Sequence, residues 1–308
     1  MKLVYMATAD IAVPVLNALV SSGKHEIVAV VSQPDRPAGR KRRLTASPVK
    51  QRAEECGLKV LTPEKIGSPA SIEELKSLDA DLFVVFAYGQ YIPSLVTDLP
   101  PHRSINVHPS LLPRYRGASP IQFTLLNGDE IGGVSIIYVD REMDAGDILA
   151  QQEVPVGLDD TTGSLSVKMA KLGGDLLLKV IDQLQDGSAE LVTQDPLAVV
   201  ETRKLAKEDG LIDWSEAASV IYNKVRAFNP WPSCSFMWND SAIKVHRAEV
   251  EDASGIPGAV LDIQGVGPLI ATGDRALRLV KIQPPGKRAM GGSDFLRGNN
   301  LVVGEVLP

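Results

Sequence analysis

Cysteine is nearly absent: 308 residues contain two, Cys56 and Cys234. Far apart and unaccompanied, they make neither a disulfide framework nor a metal knuckle, which suits a reducing cytoplasm. Long apolar runs are missing too. No stretch approaches 18 uninterrupted apolar residues, so no membrane span is expected. The opening "MKLVYMATAD" lacks the charged start, apolar run and cleavage site of a signal peptide. There is no internal repeat and no low-complexity tract. Excess positive charge is also lacking, since the net charge is -6. That rules out a surface coated in basic residues but not a local basic patch acting against an acidic background. One such patch exists: "RPAGRKRR", Arg36 to Arg43, carries Arg36, Arg40, Lys41, Arg42 and Arg43.

What is present is long for one domain and comfortable for two. "KLVYMA" reads as a first strand, followed by a helix that Gly23 stops. "EIVAVVS" is a second strand. Ser47-Pro48 supplies an N-cap and a first-turn proline for the next helix. "LKVLT", "LFVVFA", "SINVH", "GVSIIYV" and "ILAQQEVPV" continue the strands, with helices near Ser71, Pro120 and Thr162. Strands alternating with helices predict an α/β domain with a mainly parallel sheet over 1–187. The first strand-to-helix turn, "ATAD", has no glycine fingerprint, which argues against a dinucleotide site. Residues 188–208 are polar and aperiodic and read as a linker. From 209 to 308, after one short helix, the chain turns to short strands with Gly, Asn and Asp turns, which predicts a small β-barrel. In "RAFNPWP", Phe228 and Trp231 read as packing residues at the domain junction, with Pro230 and Pro232 fixing the turn.

The chemistry points to "SINVHPSLLPRYRG". Period-two geometry puts Asn106 and His108 on one face of a strand. In open α/β sheets, ligands bind beyond the carboxyl ends of the strands, and His108 is the last residue before Pro109. A histidine moves protons near neutral pH, and an asparagine amide can donate to a developing oxyanion. Together they fit acyl transfer better than hydride or phosphoryl transfer. On spacing alone, a satisfied strand-end histidine and a turn asparagine fit equally well. "DREMDAGDIL" supplies Asp144, an acid able to orient an imidazole, though spacing alone does not bring it to His108.

"INVHPSLLPRYRGASPIQ" resembles the signature of the 10-formyltetrahydrofolate-dependent formyltransferases. The resemblance implies Asn106, His108 and Asp144 as catalytic residues and 10-formyltetrahydrofolate as co-substrate, with no metal. It implies that Ser110, Leu111, Leu112 and Pro113 line or border the folate site. "QPDRPAGRKRRLTASPVK", "KLAKEDGLIDW", "GVGPLIATGD" and "QPPGKRAM" resemble segments of the members of that family that act on charged initiator tRNA, so the match spans nearly the whole chain. The implied fold is a formyltransferase α/β domain joined to a smaller oligonucleotide-binding-like β-barrel. The family's usual Gly-Thr-Pro after the first strand is Ala7-Thr8-Ala9 here.

The implied reaction formylates the α-amine of methionyl initiator tRNA, for translation initiation. Arg36, Arg40, Lys41, Arg42 and Arg43 are then expected to meet the acceptor stem, with Arg40 as the discriminating contact. Lys204, Lys207, Lys287 and Arg288 are expected to add phosphate contacts. A cytoplasmic monomer is expected, since no segment advertises a coiled coil or a long apolar interface. Two other readings share some of these residues. One is a folate-dependent formyltransferase acting on an amino sugar nucleotide or a ribonucleotide amine; the other is a protein that holds tRNA or folate without catalysis. The basic loop and the barrel argue against the first, and the intact trio against the second.

Overall fold

A computed structural model describes residues 1–38 and 43–308. Its strands are β1 (Lys2–Ala7), β2 (Glu26–Val31), β3 (Arg36–Ala38), β4 (Arg43–Thr45), β5 (Val60–Leu61), β6 (Leu82–Phe86), β7 (Ser104–His108), β8 (Arg114–Gly117), β9 (Ile131–Tyr138), β10 (Ile148–Pro155), β11 (Val200–Thr202), β12 (Cys234–Trp238), β13 (Ser241–Glu251), β14 (Val260–Asp262), β15 (Leu269–Ala271), β16 (Ala276–Gln283) and β17 (Met290–Gly291). The α-helices are α1 (Val13–Ser22), α2 (Pro48–Glu55), α3 (Pro69–Lys76), α4 (Ser94–Thr97), α5 (Pro120–Leu126), α6 (Thr162–Asp186), α7 (Ala218–Ala227) and α8 (Gly292–Arg297). Contacts divide the chain into two units. The first comprises Met1–Gly117, Ile131–Pro155 and Ser166–Thr202, and the second Ala118–Glu130, Val156–Leu165 and Arg203–Pro308.

The first unit is built on a seven-stranded sheet in the order β10-β9-β7-β6-β1-β2-β5. β7, β6, β1, β2 and β5 run parallel. β9 and β10 close one side antiparallel. Covered central strands need apolar residues on both faces. β6 is buried throughout, and Leu3, Val4, Tyr5 and Met6 of β1 have no exposed surface. Local signals start the helices: the Ser47 hydroxyl accepts from the Lys50 N–H at 3.0 Å, and Pro48 opens α2.

Three features depart from the sequence reading. The basic segment is flanked by a short hairpin, in which Arg36 pairs with Thr45 and Ala38 with Arg43. The segment read as a linker is built into the first unit as far as Thr202, because β11 pairs parallel with β8 and Val192 bridges Ile148. Its strands are too short for any periodicity to show. Trp231 is 56% exposed, whereas Phe228 is buried. The turn formed by Pro230 and Pro232 carries the indole outward, so only Phe228 serves as a packing residue.

The second unit holds a six-stranded antiparallel sheet, β12-β13-β16-β15-β14 with β17 on β16. Phe236, Ile243, Val245, Leu277, Leu279 and Ile282 fill its interior. Within this unit α5 packs against α7. Among the described residues, no helix is long and apolar enough to cross a membrane.

Candidate active site

β7 carries Asn106 and His108 to the carboxyl edge of the sheet. Val85 of β6 pairs with Asn106, so His108 projects past the last paired residue on that side, while β9 supports it through Ser135. His108 is buried and Asn106 half-buried. The chain then turns at Pro109 and returns as β8. That return places the Tyr115 carbonyl 2.9 Å from His108 Nε2. A carbonyl only accepts, so Nε2 carries a proton and donates it there. Nδ1 is the nitrogen left for chemistry.

Asp144 reaches both partners. Its Oδ1 lies 3.5 Å from His108 Nδ1 and accepts from Asn106 Nδ2 at 3.4 Å. The other oxygen, Oδ2, accepts from the Gly117 N–H at 2.8 Å. Asp144 itself adopts a left-handed φ of 55°. A non-glycine residue holds such a conformation when its surroundings over-determine it. Gln194 provides much of that constraint: its Nε2 donates to the carbonyls of Asp144 and Gly146, both at 2.8 Å. The buried Arg116 fixes Gln194 in turn, donating from Nε and Nη2 to Oε1 at 3.0 and 2.9 Å, and its Nη1 donates to Glu142 at 3.3 Å. Sequence reasoning missed Arg116 and Gln194 as parts of the site. Arg116 carried only the weak signal of a basic residue in "PRYRG", and Gln194 carried none, since it lies in the aperiodic segment.

Two glycines make this arrangement possible. Gly117 has φ 104°, and a Cβ there would meet the Thr202 carbonyl oxygen at 2.6 Å. At Gly146 a Cβ would fall 1.9 Å from the Tyr138 carbonyl oxygen. β8, β11 and the Asp144 loop can therefore approach only through backbone.

The "SLLP" segment is tied down beside this trio. The Ser110 hydroxyl donates to the Arg114 carbonyl at 2.6 Å, and the Ser110 carbonyl accepts from Ser135 Oγ at 2.6 Å. The Leu112 N–H donates to Ser135 Oγ at 3.1 Å, and its carbonyl accepts from Gln151 at 2.8 Å. Leu112 packs with Ile137 and Ile148. Ser110 and Leu112 are thus buried, while Leu111 and Pro113 keep exposed surface. At the first turn, Thr8 Oγ1 donates to the Tyr88 carbonyl at 2.8 Å, so Ala7-Thr8-Ala9 is held without the usual Gly and Pro.

The nucleic-acid candidates are spread along the chain. Arg36 and Arg43 stand exposed on the hairpin, and Arg36 comes within 3.5 Å of Glu64. Arg40, Lys41 and Arg42 lie outside the described residues. Lys204, Lys207, Lys287 and Arg288 are exposed in the second unit. The hairpin follows the carboxyl end of β2, which runs parallel to β7 through β1 and β6, so it leaves the sheet at the same edge as His108. A cleft of about 540 Å³ in the first unit is lined by Gln33, Arg36, Glu64, Lys65, Gln90 and Tyr91 rather than by the trio. The convergence of a proton carrier, an amide donor and a carboxylate, not the cleft volume, makes the trio the candidate reaction centre.

Comparisons with known proteins agree on the family. A formyl transferase family model matches residues 1–181, and a formyl transferase C-terminal domain model matches 204–300. The methionyl-tRNA formyltransferase of Halalkalibacterium halodurans is 43% identical over 312 aligned positions, covering 100% of this chain and 98% of that protein. The methionyl-tRNA formyltransferase of Citrifermentans bemidjiense is 41% identical, covering 100% of this chain and 96% of the relative. Two solved structures share the fold at low identity. An N-formyltransferase from Helicobacter canadensis, in complex with folinic acid and dTDP-3-aminofucose, superposes with a TM-score of 0.67 at 19% identity, over 91% of this chain and 99% of that one. HypX from Aquifex aeolicus in complex with tetrahydrofolic acid gives 0.65 at 18% identity, over 96% of this chain but only 46% of that protein.

Proposed function

The chain belongs to the formyl transferase family, and from that premise we propose that Asn106, His108 and Asp144 are the catalytic residues of its reaction. The protein is an enzyme that formylates methionyl initiator tRNA, for translation initiation. We take the formyl donor to be 10-formyltetrahydrofolate. The observation that carries the mechanism is the commitment of His108 Nε2 to the Tyr115 carbonyl, which leaves Nδ1 facing Asp144.

With Nε2–H fixed, His108 can donate from Nδ1 only as an imidazolium, and the Asp144 carboxylate is placed to stabilise that cation. As the neutral α-amine attacks the formyl carbon, the formyl oxygen gains negative charge. Asn106 Nδ2–H and His108 Nδ1–H would donate to it. The attacking nitrogen then loses a proton and the departing folate nitrogen gains one. His108 and Asp144 hold the groups able to move that proton, directly or through water. Leu111 and Pro113 would offer exposed apolar surface to the folate ring, while Ser110 and Leu112 fix the shape of the loop. This fits a flat heteroaromatic co-substrate next to His108.

For the tRNA, the reading assigns Lys41, Arg42, Arg43, Arg36, Lys204, Lys207, Lys287 and Arg288 to backbone phosphates and Arg40 to inspection of the acceptor end. The direct test is formyl transfer by purified protein from 10-formyltetrahydrofolate to charged initiator tRNA, with free methionine and uncharged tRNA as controls. Kinetics at several salt concentrations then separate the basic residues. Neutralising Lys41, Arg42 and Arg43 should lower affinity with a salt slope shallower by roughly 0.9 per lost duplex contact. Arg40→Ala should cost more on initiator than on non-initiator methionyl-tRNA. Equal losses on both tRNAs would reduce Arg40 to a phosphate contact.

A further inference from the structure

The second unit contains a pocket that the formyl-transfer chemistry does not use. Its volume is about 280 Å³, and residues from α7, β13, β16 and the loop before α6 line it. At its base sits Arg226, in the last turn of α7 and 8% exposed. A guanidinium has five N–H donors and never loses its charge in a protein. Here it spends one: Nη1 donates to the Leu158 carbonyl at 3.1 Å. Tyr222, one turn earlier, lends a ring face 5.1 Å from the guanidinium carbon and donates its own hydroxyl to the same Leu158 carbonyl. Nε is sealed from solvent with no partner. Among the described residues, no carboxylate pairs with Arg226. The helix C-terminus and the Tyr222 ring offset part of the cost of a buried cation. They leave its charge without a counter-ion, and a buried unpaired charge is expensive.

Two further cations line the pocket, against one carboxylate, Asp159. Arg247 and Lys281 are register partners on β13 and β16, two cations directly opposite each other. Like charges in that relation repel. The register shifts on both sides of Arg247, and such a bulge re-aims side chains. It brings His246, Arg247 and Ala248 together into the lining. Arg247 is partly countered by Asp159 at 3.4 Å and Glu249 at 3.2 Å. Lys281 has no ion-pair partner among the described residues. His246 donates from Nε2 to Gln283 Oε1 at 2.8 Å, since the Gln283 amide nitrogen is itself donating to the Lys287 carbonyl at 2.8 Å. Its Nδ1 is left over. Tyr222 and Asp159 are the remaining titratable groups in the lining, and Asp159 is strongly exposed. After Asp159 is set against Arg247, Arg226 and Lys281 remain as two uncompensated cations.

We propose that this pocket is a phosphate-binding site, with Arg226 as its buried anchor and Lys281 and Arg247 as its rim. A phosphate suits the arrangement better than a carboxylate. Its oxygens can take Arg226 Nη2, the Lys281 ammonium and Arg247 at once, whereas a carboxylate has two oxygens for three cationic groups. The volume admits a nucleotide-sized group around the phosphate. The source is either a backbone phosphate of tRNA or a free phosphorylated compound.

The test uses the full chain and inorganic phosphate, in equilibrium dialysis at constant ionic strength with chloride as the balancing anion. The expected result is saturable binding at one site per chain. Lys281→Gln, an exposed substitution that leaves the fold intact, should weaken it several-fold, and Arg226→Gln by more than about tenfold. Should Arg226→Gln fail to fold, Arg247→Gln takes its place beside Lys281→Gln. Uncharged tRNA is then added as competitor. Displacement of phosphate in the unsubstituted chain, reduced in Lys281→Gln, identifies the tRNA backbone as the source. Phosphate bound without displacement identifies a free phosphorylated compound. Binding that does not saturate, or that is equal in the unsubstituted chain and in both folded variants, would overturn the proposal. None of these readouts depends on formyl transfer.

Discussion

At the scale of single residues, the site rests on which nitrogen of His108 is already occupied. The Tyr115 carbonyl takes Nε2–H at 2.9 Å, so in the proposed mechanism proton exchange and oxyanion contact both fall to Nδ1. His108→Ala and Asn106→Ala should each lower kcat by about 10²–10³, the usual loss for one oxyanion donor. Their unfolding midpoints should stay close to the parent value, because both side chains end a strand whose ladder is backbone. Turnover near the parent rate in either variant would remove that residue from the mechanism. Asp144→Asn is a finer probe. Its oxygen can still accept from Gly117, so the loop keeps its anchor, but it no longer offers a charge to an imidazolium. A loss confined to kcat, with KM for both substrates unchanged, is the expected pattern. A rise in KM alone would assign Asp144 to binding instead.

At the scale of elements, the acidic loop is held by parts distant in sequence. β11 pairs with β8, β8 supplies the Gly117 N–H, and Gln194 clamps the carbonyls of Asp144 and Gly146. Gln194→Ala should therefore misplace Asp144 without touching substrate. A displacement near 1 Å at a reacting group can cost about 10²-fold in rate, so kcat should fall steeply while KM changes little. Gln194→Glu tests the same point: it keeps the size but sets an acceptor against two carbonyls, and it should be no better than alanine. An unchanged kcat in both variants would show that β8 and β11 hold the loop without the clamp. Gly146→Ala should be worse than either, since its Cβ would fall 1.9 Å from the Tyr138 carbonyl oxygen.

At the scale of the whole molecule, a charge cluster centred on the buried Arg278 ties the stability of the second unit to pH. Arg278 donates to Glu251 at 2.8 and 2.9 Å, to Asp262 at 2.8 Å and to the Gly267 carbonyl at 2.9 Å. Its hydrogen bonds hold the Glu251 carboxyl below its ordinary 4.5 and the Asp262 carboxyl below its ordinary 3.8. The folded state then binds fewer protons than the unfolded chain in that range. The stability these groups contribute is complete above the ordinary carboxylate values and is lost as pH falls through the depressed ones. Arg278→Leu should lower the urea midpoint near neutral pH, because two carboxylates lose a shared partner, and solvent screening of those half-exposed carboxylates keeps the loss modest. It should also flatten the fall in the urea midpoint below about pH 5. A variant with the parent's full acid dependence would place the titrating groups elsewhere.

Sequence alone determined the elements whose cause is local. Ser47-Pro48 starts α2, the continuous apolar run of β6 gives a strand covered on both faces, and the alternation of strands with helices sets a mainly parallel sheet. Asn106 and His108 were legible as candidates for the same reason: two polar residues at period two before a proline mark the carboxyl end of a buried strand. Tertiary structure alone decided the rest. Asp144 meets His108 across 36 residues of chain because β9 pairs antiparallel with β7 and the loop folds back at Gly146. Arg116 and Gln194 join the site only because β11, three residues long, returns to pair with β8. Arg226, the proposed phosphate anchor, reads in sequence as an ordinary basic residue near a helix C-terminus, and only packing buries it with no carboxylate beside it among the described residues. Local chemistry is written in neighbouring residues; the identity of a side chain's distant partner is fixed by strand pairing and burial, which no short window of sequence contains.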